Sequence, residues 1–173
     1  MHDIDKHPWI LGGLVIHADI LARVDEEAKA AYARDEESCG LLVGPFSGAS
    51  DALLVDEIVP MENRANKLHA LDPETYPRTG RMYFDINPLK FEREIRERAA
   101  AGRPAKVLYH SHVDAGAYFS PTDVEATTAG GDGPSYDLAY LVTSVQGGEV
   151  SERKLFVWDP ERRVFAESKY SIV

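Results

Sequence analysis

Apolar residues along the chain follow two patterns: short, nearly continuous runs, and stretches with an apolar residue every three or four positions. The runs predict β-strands, and residues 39–43 are apolar enough to be buried on both faces of a sheet. The predicted strands span residues 13–17, 39–43, 53–59, 81–86, 105–112, 137–145, 153–158 and 163–170, the last two forming a hairpin. The helical spacing predicts helices over residues 19–34, 87–101 and about 120–130.

Two of the predicted helices carry start signals in the sequence. Asn87 followed by Pro88 is a cap residue with proline in the first helical position. Ser120 is followed by proline and, three residues on, by Asp123, which is the spacing of a capping box. Gly102 is expected to end the helix that begins at Asn87.

Residues 61–80 lack periodicity and contain two prolines, so they predict a long loop. The sequence leaves open whether this loop contacts a partner or is a mobile surface loop. The predicted element order is β-α-β-β-β-α-β-α-β-β-β. Hairpin-linked strands mixed with helical crossovers indicate an α+β (mixed α/β) domain, with one sheet flanked by helices.

Length, charge and composition narrow the class of protein. The 173 residues are expected to form one domain over residues 1–173. A net charge of −10 and a pI near 5.0 disfavour a nucleic-acid partner. No apolar run approaches a membrane span, and residues 1–6 lack signal-peptide features, so we expect no membrane contact. The single cysteine, Cys39, cannot form an internal disulfide, which favours the cytoplasm.

The candidate chemistry lies at the end of the strand predicted over residues 105–112. His110 and His112 are two residues apart, so both rings point to one face of the sheet. Asp123 adds a carboxylate from the next helix. Two nitrogens and one oxygen, with a fourth position left to water, make the ligand count of a catalytic zinc site. Two plainer alternatives stay open: the histidines form a hydrogen-bonded pair, and Ser120 with Asp123 only starts a helix.

A second source of carboxylates precedes the strand at residues 39–43. Glu36 and Glu37 lie there side by side, and strand alternation places them on opposite faces. Amide hydrolysis at a metal-activated water needs a group that accepts a proton and returns it to the leaving amine, so these glutamates are candidates for the general base. Cys39 is expected to be a packed small hydrophobe rather than a nucleophile.

These residues also carry a family resemblance. The patterns E-x-C-G-x-L-x-G from Glu37 and H-x-H-x7-S-x2-D from His110 resemble those of the JAMM (MPN-type) zinc metalloproteases, particularly their short single-domain bacterial members. The resemblance runs from about Gly13 to the last strands. Family members usually carry proline after the second histidine, where this chain has Val113, so the loop shape differs from the family pattern while the ligands match.

The resemblance implies a fold, a metal and roles for five residues. The implied fold is a curved mixed β-sheet flanked by helices, with cytidine-deaminase-like layering and the metal at the edge of the sheet. The metal would be Zn²⁺, held by His110, His112 and Asp123. The general base would be Glu37, and Ser120 would donate to the oxyanion.

The resemblance also implies the substrate, which is a peptide or isopeptide bond after the C-terminal Gly-Gly of a ubiquitin-like or sulfur-carrier protein. In the related enzymes, the region that corresponds to residues 61–80 varies and contacts carrier proteins. Whether the substrate is an amino-acid adduct, a precursor tail or an isopeptide stays open at this point.

Four rival classes share part of this pattern. The H-x-H-x-D-H motif of metallo-β-lactamases fails because Ala115 stands at its last position and no histidine follows His112. A cupin needs a glutamate where Gly116 and Ala117 stand. An iron oxygenase with a 2-His-1-carboxylate site has suitable ligand types but gives the strand after Glu37 no role. A non-catalytic MPN scaffold stays as the alternative, although such relatives typically lack the metal ligands.

Overall fold

The computed structural model describes residues 4–173. The expectation about signal-peptide features concerns residues 1–6, of which Met1 to Asp3 lie outside the described residues. A 3-10 helix at Pro8–Leu11 comes first. The strands are β1 Val15–Ile16, β2 Cys39–Val43, β3 Leu54–Val55, β4 Glu57–Met61, β5 Ala105–Val113, β6 Ala139–Gln146, β7 Glu149–Asp159, β8 Val164–Ser168 and β9 Ser171–Ile172. The helices are α1 Ala18–Ala33, α2 Ala65–Leu71, α3 Pro88–Ala100 and α4 Pro121–Thr128.

The main sheet is mixed and has six strands in the order β4-β2-β5-β6-β7-β8. Strands β5 and β6 are parallel, and every other neighbouring pair is antiparallel. A second, parallel sheet joins the three short strands in the order β3-β1-β9. The architecture is therefore the mixed α+β class that the sequence predicts.

Apolar side chains from the two faces of the main sheet form two separate clusters. On one face, Leu42 of β2 and Val107 of β5 pack with Val24 of α1. On the other face, Leu41 and Leu108 cluster with Phe91 of α3. Strand alternation explains this division, because neighbouring residues of one strand point to opposite faces. All residues of β2 and β5 are buried, as expected for strands covered on both sides.

Most predicted elements appear in the structure with shifts of one to a few residues. Helix α1 and strand β5 match closely, and both start signals are confirmed. The Asn87 side chain accepts hydrogen bonds from the amides of Leu89 and Lys90. Ser120 and Asp123 form the complete capping box of α4. Among residues 4–173, no helix is long and apolar enough to cross a membrane.

Three predictions about the middle of the chain are wrong. Residues 81–86 are not a strand, because their backbone groups bond instead to Asn63 and Arg64; the Asp85 amide donates to Asn63 Oδ1 and its carbonyl accepts from the Arg64 amide. Residues 61–80 are not a continuous loop, since they contain α2. That helix has no side-chain cap and buries only Ala65, so the sequence carries little helical signal there.

The third error concerns residues 53–59, which divide into β3 and β4 on either side of Asp56. The amide of Asp56 donates to the Val43 carbonyl, and the two strands then join different sheets. A related correction applies to the metal ligands, which the family resemblance places at the edge of the sheet. Strand β5 is the third of six strands, so the histidines lie toward the carboxyl end of an interior strand.

Candidate metal centre

The two histidines lie on an interior strand of the sheet. Strand β5 pairs with β2 on one side and with β6 on the other, and His110 lies opposite Cys39 and Val142. His112 follows two residues later on the same face, opposite Ser144 of β6. Both imidazoles are buried. The backbone of both residues pairs with β6, and that of His110 also pairs with β2. The sequence spacing therefore delivers two convergent rings, as predicted.

Four possible ligand atoms from three side chains lie close together. The Nε2 atoms of His110 and His112 lie 3.2 Å apart. Asp123 completes the group, with Oδ1 3.2 Å from Nε2 of His110 and Oδ2 3.2 Å from Nε2 of His112. All three side chains are buried, and within the described residues they form a group able to hold a metal ion.

The distance between the two Nε2 atoms is that of a tetrahedral zinc ion, and each Nε2 has one Asp123 oxygen at the same distance. Zinc bonds of about 2.0–2.1 Å in a tetrahedron place neighbouring ligand atoms roughly 3.3 Å apart. The tautomer of His112 fits as well: its Nδ1 lies 2.7 Å from the carbonyl oxygen of Gly116, which only accepts, so Nδ1 carries the hydrogen. Nε2 of a neutral ring then presents its lone pair to the Asp123 carboxylate. A cation between Nε2 and the carboxylate would remove the repulsion between the lone pair and the negative charge.

The capping box of α4 orients the carboxylate ligand. The Ser120 amide donates to Asp123 Oδ2 over 2.9 Å, and the Asp123 amide donates to Ser120 Oγ over 3.0 Å. Burial raises the pKa of Asp123, but attraction to His110, contacts with both histidines and the Ser120 amide outweigh it and hold the pKa below its ordinary value. The residue that starts the helix is therefore also the one whose carboxylate faces the two histidines.

Glu37 lies just before β2, on the face that carries the histidines. Continuing the Cys39–His110 pairing by two residues sets Glu37 across from His112, and the bond from the Ser38 amide to Ser111 Oγ extends that pairing. The side chain is only 5% exposed. Its Oε1 has no hydrogen-bond partner among the described residues. Burial, and then the nearby Asp123 carboxylate, raise its pKa well above the ordinary value.

The neighbouring Glu36 and Cys39 have different surroundings. The Glu36 carboxylate accepts from Arg34 Nε over 2.9 Å and from Asn66 Nδ2 over 3.4 Å, so it is engaged at the surface. Cys39 is buried, burial raises the pKa of its thiol, and Sγ contacts the Met61 carbonyl at 3.6 Å. These contacts agree with a packed small side chain at position 39 and leave Glu37 as the carboxylate beside the metal ligands.

Ser120 is half-buried beside the ligand group. Its Oγ accepts from the Asp123 amide, which uses a lone pair and leaves the hydroxyl hydrogen to donate elsewhere. The structure thus brings together all five residues predicted from the sequence, the three ligands with Glu37 and Ser120. The catalytic roles of Glu37 and Ser120 stay predictions.

An apolar cavity of about 380 Å³ adjoins the ligand group and shares His110 and Asp123 as part of its wall. Phe84 stacks on the His110 ring with a centroid distance of 4.8 Å, and Phe119 meets the same ring edge-on at 6.4 Å. The remaining wall is formed by residues of α3, α4, β5 and β6, together with the loop residues before α3 and those between α4 and β6. Most of the lining side chains are apolar or aromatic, which suits an apolar chain or side chain.

The sequence did not reveal three contacts of this site. Phe84 lies 26 positions before His110, in a stretch predicted to be a strand, and nothing in the pattern linked the two. The carbonyl of Gly116 is a backbone group and leaves no trace in the sequence. Asn63, whose amide bonds to the Glu37 carbonyl, lies within the predicted loop. The sequence signal at that position is the asparagine itself, a residue common in turns, placed shortly after a predicted strand.

The fold and the buried His-His-Asp group define a domain of the JAMM/MPN type. The profile of the family described as prokaryotic homologs of the JAB domain matches residues 17–158, and the chain therefore belongs to this family. No curated protein matches the sequence.

Solved structures share the fold at low sequence identity. A solution structure of a protein from Desulfitobacterium hafniense aligns with a TM-score of 0.64 and 19% identity, covering 92% of each chain. A protein from Salinibacter ruber aligns with a TM-score of 0.58 and 23% identity, again over 92% of each chain. A JAB1/MPN domain protein from Archaeoglobus fulgidus gives 0.52 and 15%, covering 94% of this chain and 99% of the other.

Proposed function

We propose that this protein is a zinc-dependent peptidase or isopeptidase. The observation that carries the proposal is the buried group of His110, His112 and Asp123, in which the two Nε2 atoms lie 3.2 Å apart and each has an Asp123 oxygen at 3.2 Å. The nearby Glu37 carboxylate has an oxygen, Oε1, without a hydrogen-bond partner among the described residues. Membership of the JAB family supports the same reaction class. A structural site would close the coordination shell with a fourth protein ligand, whereas this group offers three.

The chain's own residues supply the proton transfers. His110, His112 and Asp123 would hold the zinc, which would polarise the substrate carbonyl and lower the pKa of water to about 7. Glu37 accepts a proton from the attacking water and returns it to the nitrogen of the leaving amine. Its buried position excludes bulk water from that transfer. The Ser120 hydroxyl donates to the carbonyl oxygen as negative charge develops there.

The substrate that we propose is the C-terminal Gly-Gly tail of a ubiquitin-like or sulfur-carrier protein. The tail enters between α4 and residues 83–86, over the cavity that His110 and Asp123 border. Glycine suits a backbone held close to the metal, because a side chain there would collide with the surrounding walls. The bond cleaved is the one after the second glycine, which releases an amino acid or a target amine.

The experiment is a panel of fusions incubated with zinc-loaded protein. Each fusion joins a folded ubiquitin-like domain to a fluorescent amine, through either a Gly-Gly tail, a Gly-Val tail or an unrelated tail. We expect cleavage of the Gly-Gly fusion only. Equal cleavage of all three would support a zinc hydrolase but remove the ubiquitin-like assignment.

The alternative function is that of a non-catalytic MPN scaffold, and metal content separates the two. The proposed enzyme should purify with one tightly bound zinc per chain, which elemental analysis measures directly. A scaffold should purify without stoichiometric zinc and should cleave none of the fusions.

A further inference from the structure

Asn63 is a buried side chain that the proposed reaction does not use. It is the second residue of the connecting segment, which we define as residues 62–86, between β4 and the Asn87 cap of α3. The side chain is 9% exposed and lies beneath this segment rather than on its surface. A buried amide needs hydrogen-bond partners for its nitrogen and its oxygen, so its contacts indicate what it does there.

Every hydrogen-bonding position of this amide is filled. Nδ2 donates to the Glu37 carbonyl over 3.0 Å and to the Tyr83 carbonyl over 3.1 Å. Oδ1 accepts from the amides of Ala65 and Asp85, each over 3.0 Å. Two donors and two acceptors are the whole capacity of an asparagine side chain. Asn63 therefore joins three separate stretches of backbone at one point.

The bond to Glu37 matters because this residue lies outside the regular ladder of β2, which begins at Cys39. The backbone of Glu37 is held from the connecting segment instead, by Asn63 at its carbonyl and by Gly80, whose carbonyl accepts from the Glu37 amide over 2.7 Å. Within residues 4–173, the carboxylate Oε1 has no hydrogen-bond partner. Its direction is therefore set by the backbone that Asn63 and Gly80 hold.

The other bonds of Asn63 fix the opposite wall of the site. The Tyr83 carbonyl and the Asp85 amide flank Phe84, whose ring stacks on His110 at 4.8 Å. One buried side chain thus fixes both the strand end that carries the proposed base and the ring that packs against a metal ligand.

We propose that Asn63 is a positioning residue that aims the Glu37 carboxylate at the metal site. The proposal rests on the proposed function, in which Glu37 moves the proton. The side chain of Asn63 acts through the Glu37 backbone and takes no part in binding zinc.

The test compares Asn63→Ala with Asn87→Ala, a matched control in the same zinc-loaded protein. Asn87 also accepts hydrogen bonds from two backbone amides, but it caps α3 and none of those bonds reaches Glu37. For Asn63→Ala we expect kcat on the Gly-Gly fusion to fall about 10–100-fold, the scale of losses when a ligand-orienting group is removed. We expect KM to change less than about threefold and zinc to stay at one per chain. Asn87→Ala should keep kcat within about twofold.

A second variant and a second readout cover misfolding and inactivity. Asn63→Asp keeps the shape and the two accepted bonds but places an oxygen against the Glu37 carbonyl, so its kcat should fall like that of Asn63→Ala. Hydrogen exchange at the Glu37 amide should quicken in both Asn63 variants and not in Asn87→Ala, whatever the activity.

The outcomes separate the two proposals. If kcat and Glu37 exchange in the Asn63 variants match those of the control while Glu37→Gln is inactive, the positioning role is wrong and the proposed function stands. If wild-type protein cleaves no fusion, the proposed function fails, and the exchange measurement alone decides whether Asn63 holds Glu37.

Discussion

The framework that carries the metal ligands and the connecting segment beside it are stabilised in different ways. In the framework, β5 bonds to strands on both sides, and the capping box ties Asp123 to Ser120. The connecting segment is held by a few side chains, chiefly Asn63 and the ion pair of Arg64 with Asp85. It also exposes large apolar side chains at Leu71, Tyr76 and Met82.

This difference teaches where each kind of change should act. Many ladder hydrogen bonds hold the backbone of the framework. Replacing one side chain there should therefore leave the remaining ligands in position. The connecting segment has exposed apolar groups available for a partner, and side-chain and turn hydrogen bonds hold it instead of a strand ladder. Loss of a metal ligand in the framework should therefore reduce zinc binding. Changes in the segment should instead alter kcat or KM while zinc stays bound.

The largest effect is expected from His112→Ala. Losing one of three ligands should reduce zinc from one per chain to none and abolish cleavage, because two ligands hold zinc poorly. The fold should persist, since the sheet ladder around β5 does not use the ring. Elemental analysis and circular dichroism measure both points. Full zinc content in this variant would show that the ligands are assigned wrongly.

Ser120→Ala should have the next largest effect and acts on both chemistry and stability. Loss of the proposed oxyanion donor should lower the rate about 10²–10³-fold. Loss of the helix cap should cost about 1 kcal/mol of unfolding free energy. Asn87→Ala removes a comparable cap from α3 and serves as the control, with a similar loss of stability and a normal rate. If both variants lose only stability, Ser120 is a cap and nothing more.

A smaller effect is expected from Leu71→Ser in the connecting segment. The Leu71 side chain is 82% exposed at the end of α2, so its removal should leave the melting temperature unchanged. If the segment contacts the carrier protein, KM for the fusion should rise about 3–10-fold, on the order of 1 kcal/mol of lost binding. The value of kcat and the zinc content should stay at wild-type levels. An unchanged KM would place the carrier contact elsewhere.

The smallest expected effect concerns Glu37 in metal-free protein, where burial and then Asp123 raise its pKa well above the ordinary value near 4.5. As the pH rises above that value, the unfolded chain ionises first, and the folded state loses about 1.4 kcal/mol per unit of raised pKa. Glu37→Gln lacks this loss. It should melt above wild type at pH 7.5 and together with it at pH 4. A difference independent of pH would contradict this origin.

The sequence predicts the framework well for a physical reason. Its elements are defined by local signals, namely the apolar run of β2, the paired spacing of His110 and His112, and the capping box at Ser120. Each of these acts over a few residues. The positions of the three ligands and of Glu37 follow once such elements are assembled in a JAMM/MPN-type fold.

The connecting segment was predicted poorly because long-range bonds determine its structure. The backbone of residues 81–86 bonds to the side chain of Asn63 and to Arg64, about 20 positions away, instead of to a neighbouring strand. Helix α2 is short and mostly exposed, so no apolar stripe marks it. Neither the long-range hydrogen bonds nor the short helix produces a hydrophobic periodicity or a helix-capping residue that could be recognised in the sequence.

The central claim is that Glu37 moves the proton at a zinc site that it does not help to form. The direct test is Glu37→Gln beside Glu36→Gln, a neighbouring carboxylate that pairs with Arg34 and Asn66 instead. We expect both variants to hold one zinc per chain. Glu37→Gln should lower turnover of the Gly-Gly fusion about 10²–10⁴-fold, the usual contribution of a general base, and Glu36→Gln should leave it unchanged. Near-normal turnover in zinc-loaded Glu37→Gln would contradict the account.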